Sequence, residues 1–464
     1  MPTQGQMIAQ PNGTPPAGAN NGNNNFASAS QGGVAKPTPG TVVIHINGRV
    51  NAELNGAWTS LDKVGFPAVV SGGATLAPAA NYKIQPIDTS TYARIYTGLD
   101  GMAANGLRYG GAIEIRENFT GASASSSSSG ASGYSSSETL FVRRAFAYVA
   151  SDKVGIVRMG QGDGLITLYD NGVTTFQFLP SMNLQGGDLQ FVMPANTLVP
   201  FAFLSGSGAE YANNKLVYMS PQIDGLDVGV QWAPNTSNGF GTGSSGCPYA
   251  TTGCPGLSSS TVPLDGSRIL NQTAVGARYA GSFGPVGVLG YGVYEFSGHT
   301  HFNGPFVATG SASALGSSAG TGRYDNLSFG NAGFALTYAG LTIGGNWIGG
   351  AVNGQGALEP AGGTGTQGWL AGVSYKLGGL VVGAAFESIN SQGAVQLAGI
   401  SQRHEIGVDV GAGYVVAPGL TTWIEYLYQQ RHQGGFNFAS GSAGSGAFND
   451  IKGQGLELGT SVYW

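Results

Sequence analysis

The stretch VVIHINGRVNAELN, Val42 to Asn55, alternates strictly. His45, Asn47, Arg49, Asn51 and Glu53 fall on one face of an extended chain, while Ile44, Ile46, Val50 and Leu54 fall on the other. A water-soluble sandwich turns such an apolar face into its core. A sheet immersed in lipid turns it outward and keeps the polar face inside. Which of these applies decides the fold.

The pattern repeats along the chain. In RHEIGVDVGAGY, Arg403, Glu405 and Asp409 oppose Ile406, Val408 and Val410. In WLAGVSYK, Trp369, Ala371, Val373 and Tyr375 oppose Ser374 and Lys376. Strands are predicted near 41–58, 89–100, 106–119, 138–150, 153–161, 214–220, 226–233, 268–281, 285–297, 324–338, 341–350, 367–376, 379–388, 403–415, 419–430 and 453–464. Their connections alternate between short turns, such as SD (151–152) and LGG (377–379), and long polar loops. The long ones are 59–88, 120–137, 162–213, 234–267, 298–323, 351–366, 389–402 and 431–452. A sandwich has no reason to place every long loop at one end, whereas a bacterial outer-membrane barrel does. Backbone satisfaction in lipid requires closure. The expected fold is therefore all-β, a transmembrane antiparallel barrel of about sixteen strands, wide enough for an aqueous channel.

Composition agrees. Only 9% of the 464 residues are charged and 81 are Gly, with a net charge of −5 that gives no footprint for nucleic acid. The uncharged run 326–358 is long enough to span as a helix, but it is crowded with Gly and interrupted by Asn331 and Asn346, so it reads as paired strands. Residues 1–40 read as a flexible Gln/Asn/Pro/Gly-rich tail, of the kind expected after signal removal, and 41–464 as the barrel domain. Cys247 and Cys254, in CPYATTGC, are expected to close a small loop disulfide in an oxidising compartment.

The connection from Gly162 to Asn213 carries Leu165, Ile166, Leu168, Phe176, Phe178 and further apolar residues, which must be buried somewhere. The barrel lumen is the available place, making this third external loop an inward-folded one. Its carboxylates include Asp163, Asp170 and Asp188. The early strands supply Arg94, Arg108, Arg116, Arg143, Arg144 and Arg158. Opposed charges in a narrow aqueous passage set selectivity. Arg143 and Arg144 cannot both point inward by simple alternation, so one must lie at the headgroup level, in a subunit interface or at a bulge.

TYARIYTGLDG, FVRRAFAYVA and GIVRMGQGDG, running from Thr91 to Gly164, resemble the general diffusion porins of Gram-negative outer membranes. The resemblance implies passive diffusion of small hydrophilic solutes and ions through a homotrimer in the outer membrane. It assigns Arg94 and Arg143 to a basic wall facing an inward loop that begins near Asp163. That family's PEFGG-type stretch is absent, and a position often basic at a strand end reads Gln161. The terminal GLELGTSVYW, ending on Trp464, looks like an outer-membrane assembly signal read by the barrel-assembly machinery, with its apolar face on membrane lipid. Both termini are expected on the periplasmic side.

Other motifs are weaker. GSSAG (316–320) and GTGSSG (241–246) match nucleophile-elbow and dinucleotide patterns by letters alone and lack the strand–helix setting. His299 and His301 are candidate metal ligands, and Asp265, Asp325 and Asp450 candidate calcium ligands between loops, though no spacing demands either. No cofactor is expected. His45 and His404 read as the only strand histidines, and neither has a serine nucleophile, so an enzyme is not expected. A solute-specific channel for sugars or organic acids, a surface scaffold and a secreted soluble β protein are the remaining alternatives.

Overall fold

In the computed structural model, residues 37–61, 63–66, 69–71, 74–77, 80–83, 85–118, 140–170, 213–235, 259–260, 269–299, 301–302, 324–353, 358–359, 362–393, 401–438, 442–444 and 446–464 are described. Alternation produces sixteen strands that close into one antiparallel barrel. They are β1 (Thr41–Thr59), β2 (Ile87–Met102), β3 (Arg108–Asn118), β4 (Phe141–Ser151), β5 (Gly155–Gln161), β6 (Asn214–Met219), β7 (Leu226–Asn235) and β8 (Ile269–Phe283). The second half comprises β9 (Val286–His299), β10 (Ser328–Tyr338), β11 (Leu341–Ala351), β12 (Thr366–Leu377), β13 (Leu380–Ser391), β14 (Arg403–Ala417), β15 (Leu420–His432) and β16 (Asp450–Tyr463). A short helix α1 (Leu165–Asp170) follows β5.

The faces sort as lipid immersion requires. Ile44, Ile46, Val50 and Leu54 of β1 are exposed on the outside, while Arg49, Asn51 and Asn55 are buried. Trp369, Val373 and Tyr375 face out from β12, where Ser374 is buried. Every strand has a hydrogen-bonded neighbour on both sides, so no backbone edge is left in the wall. Two-residue turns such as Ala339–Gly340, both at positive φ (47° and 88°), close one end of the barrel. All long connections leave from the other end. Within the 326–358 run, Ser328–Tyr338 pairs with Leu341–Ala351 as the β10–β11 hairpin, as the paired-strand reading requires.

One long loop differs from expectation. Within 59–88, Lys63–Phe66 pairs with Ala80–Lys83, and Val69–Ser71 pairs with Ala74–Ala77. The β1–β2 hairpin thus continues as a narrow ribbon beyond the wall. These runs are only three or four residues long, too short for alternation to register.

The seam joins β1 to β16. Arg49 pairs with Tyr463, and the register continues to Thr59 opposite Gly453. Beyond it, Gly48 and Trp464 exchange backbone hydrogen bonds of 3.2 and 3.1 Å. The Trp464 ring lies across Gly48 so closely that a Cβ there would fall 2.3 Å from the indole. Deleting Trp464 should therefore remove the last rung of the seam and lower the temperature at which the folded, fast-migrating gel band converts to the unfolded one. Gly48→Val should shift that temperature the same way by less, because the ring can swing toward lipid. Unchanged heat modifiability in the deletion variant would show that the seam does not need this rung.

Candidate pore constriction

The two adjacent arginines of VRRAF are both inside. Glu114 of β3 pairs with Arg144, but the next residue, Ile115, pairs with Val142. Arg143 is the extra residue of a β-bulge, which frees it from alternation. Arg143 and Arg144 are both buried, while Val142 points outward. A bulge leaves a ladder carbonyl without its partner. Here Gln161 of β5 supplies one: its side-chain amide donates to the Arg143 carbonyl at 2.9 Å.

Glu114 is the hub of the cluster. Its carboxylate accepts from Arg116 Nε at 2.5 Å, from Arg144 Nη1 at 2.5 Å and from Arg143 Nη1 at 3.4 Å. Arg144 also donates to Asp163 Oδ1 from Nε and Nη2, at 3.0 and 2.8 Å, and so ties the wall to the connection after β5. The register sets Arg49 beside Arg94, and Arg94 beside Arg116, forming a row of guanidiniums across β1, β2 and β3. Arg158 stacks on the Phe146 ring at 4.0 Å.

The connection after β5 turns into the barrel at once. Lys215 of β6 donates to the carbonyls of Gly162 (2.6 Å) and Asn213 (3.1 Å), clamping both feet of the loop. Leu165, Ile166, Leu168 and Tyr169 of α1 join a buried apolar cluster with the inward residues Ala274, Tyr291, Val293 and Phe329. The Leu165 backbone N–H donates to Gln231 Oε1 at 2.6 Å. Arg278, ion-paired with Asp227 at 3.0 Å, also reaches the Leu168 carbonyl at 3.4 Å. Gly229 makes room for the helix, since a Cβ there would fall 2.5 Å from Leu165. Burial, and then the Asp227 carboxylate, push the Tyr169 phenol well above its ordinary range, so the ring stays neutral.

Of the sequence-predicted site, Arg94, Arg116, Arg143, Arg158 and Asp163 thus lie in one neighbourhood. Arg108 does not join them. It sits at the start of β3, eight residues from Arg116 and so about 26 Å away by strand rise, opposite Met102 and Ala150 near the short turns. The side chain of Asp170 and all of Asp188, Cys247, Cys254 and Asp265 lie outside the described residues. Asp325 and Asp450 stand near the long-loop end, where Asp450 accepts from Gln430 at 3.0 Å.

Sequence reasoning missed Arg49, Glu114 and Lys215 as members of this site. It also missed an acidic arc on the inner faces of β13 to β16, made of Glu387, Glu405, Asp409, Glu425 and Glu457. Glu425 stands directly beside Glu457 in the register. Trp423 Nε1 donates to Glu457 at 2.5 Å, while Arg431 pairs with Glu405. The signal was present in AFESIN, RHEIGVDV, WIEYL and GLELG, each with an acid opposite the apolar face. The histidine reading needs correcting: His299 ends β9 and His432 ends β15, so His45 and His404 are not the only strand histidines. A strand end is where alternation fades into loop composition.

The Gram-negative porin family matches residues 26–434. Among solved structures, a loop-deletion mutant of OmpT, an outer membrane protein of Vibrio cholerae, is similar at 11% identity and a TM-score of 0.48, over 91% of this chain and 99% of that one. Salmonella typhi OmpF in complex with daunomycin is similar at 15% identity and a TM-score of 0.47, over 91% and 97% of the two chains. A mutant porin of Rh. blastica is similar at 13% and 0.44, over 91% and 100%. No curated protein matches the sequence. With the family matched over most of its length and a closed sixteen-strand barrel beneath it, the chain belongs to the Gram-negative porins, the channels of the outer membrane.

Proposed function

We propose that this porin is a passive channel for small hydrophilic solutes and ions, narrowed between a basic wall and the inward connection after β5. The observation that carries this reading is the Arg49–Arg94–Arg116 row, backed by Arg143 and Arg144 at the bulge. Within the cluster, six arginines and Lys215 stand against Glu114 and Asp163, so the wall attracts anions. Asp163, Asp170 and Asp188 on the connection supply the opposing sign. Arg144 and Glu114 hold the geometry, while the row presents charge to the solute.

The remaining features follow the family. The channel works as a homotrimer set in outer-membrane lipid, without cofactor or enzymatic activity. Both termini are periplasmic, which the short turns at that end of the barrel support; the 1–40 segment lies, up to residue 36, outside the described residues. The strand ending on Trp464 is the signal read by the assembly machinery.

Folded, purified protein should give stepwise conductance in planar bilayers; its absence would sink the reading. Replacing Arg49, Arg94 and Arg116 together with Gln should move the zero-current potential in a salt gradient toward cation preference, changing the chloride-to-potassium permeability ratio at least about twofold. An unmoved potential would place the selectivity elsewhere. Gln161→Leu removes the donor to the bulge carbonyl, and an unsatisfied buried group costs about 1–3 kcal/mol. That variant should unfold at lower temperature and lose part of its anion preference, since Arg143 is no longer fixed. Loss of stability with selectivity intact would confine Gln161 to a structural role.

A further inference from the structure

The outward face of the barrel carries a polar row that the channel does not use. At the long-loop ends of β13 to β16 the register sets Asn390 beside His404, His404 beside His432, and His432 beside Asp450. Both imidazoles are exposed. Side chains directly opposite on antiparallel strands have Cβ atoms about 4.5–5.5 Å apart, a spacing from which two imidazole rings can reach one ion.

Asn390 prepares one of them. Its Oδ1 lies 2.6 Å from His404 Nδ1, so Nδ1 carries the proton and donates. The lone pair is then on Nε2, at the solvent side of the ring, which is how an outer carbonyl oxygen fixes the tautomer of a metal-bound histidine. Asp450 is already engaged, accepting from Gln430 Nε2 at 3.0 Å and facing Lys452 Nζ at 3.7 Å. It adds negative charge beside the pair without serving as a third ligand.

We infer that His404 and His432 form a two-histidine binding site for a transition-metal dication of the zinc, nickel or copper class. Neutral imidazole suits those ions, whereas calcium and magnesium require oxygen ligands. Water completes the coordination sphere. A bound ion ties β14 to β15 at the outer rim, above the apolar belt of Val408, Val410, Ile424 and Tyr426. His299 is the contrasting case: it also meets an asparagine, Asn326 at 2.8 Å, but its register partner is Ile269.

The test is titration calorimetry of Ni²⁺ or Zn²⁺ into the untagged full chain in detergent, with heat-modifiable migration confirming the fold of each variant. One ion per chain should bind at pH 7.5. His404→Ala and His432→Ala should each weaken binding about 100-fold, Asn390→Leu about tenfold, and His299→Ala not at all. Copper spin resonance of the parent chain needs no variant and should show coupling to two nitrogens. No binding by the parent chain, undiminished binding by the double histidine variant, or coupling to oxygen alone would overturn the assignment.

Discussion

Lipid offers no hydrogen-bond partner, so each strand of the wall must find partners on both sides within the protein. Fifteen of the sixteen junctions here join strands adjacent in sequence and form as hairpins or across loops. The last joins the two ends of the barrel sequence, β1 and β16, and closes the ring. The even strand number makes that junction antiparallel like the others, and the placement of Trp464 against Gly48 extends it by one rung. Gly is abundant because tight turns and close ring-over-backbone contacts recur around the wall.

A closed wall with strict alternation presents each inward position once, which limits how densely charge can be grouped. The bulge at Arg143 escapes that limit by one residue. It brings two consecutive guanidiniums to a carboxylate that already holds a third, Arg116. Such a group does little for net stability, because desolvation opposes the ion-pair attraction. What it supplies is position. Arg144, held by Glu114 and Asp163 together, fixes the first residues of the connection to the wall. Gln161 offsets the cost of the irregularity by satisfying the carbonyl it exposes.

The sixteen barrel strands were legible in the sequence, with ends displaced by no more than four residues, because alternation and turn length are local properties. The β10 start shows the limit: 324 was expected and Ser328 is observed, the four residues between belonging to the loop. The site was only half legible. That Arg94 and Arg116 face inward follows from their own strands, but that they stand beside Arg49 follows from register, which spans distant segments. Glu114 and Arg144 are 30 residues apart, and the bulge that unites them has no signature beyond the doubled arginine. The His404–His432 pair is hidden for the same reason. Each lies at a strand end, and only the β14–β15 register brings them together.

Register also sets which walls of the barrel face one another. In a closed barrel of sixteen strands, strands eight apart face one another, so β7 to β10 face β15, β16, β1 and β2. Helix α1 lies on the inner face of β7 to β9, where Ala274, Tyr291 and Val293 give its apolar residues a dry seat. That seat explains how an external connection can carry Leu165, Ile166 and Leu168 without an exposed apolar patch. It also takes the lumen away from that side. On the wall opposite, the arginine row of β1 to β3 and the acidic arc of β13 to β16 flank the β1–β16 seam from its two sides.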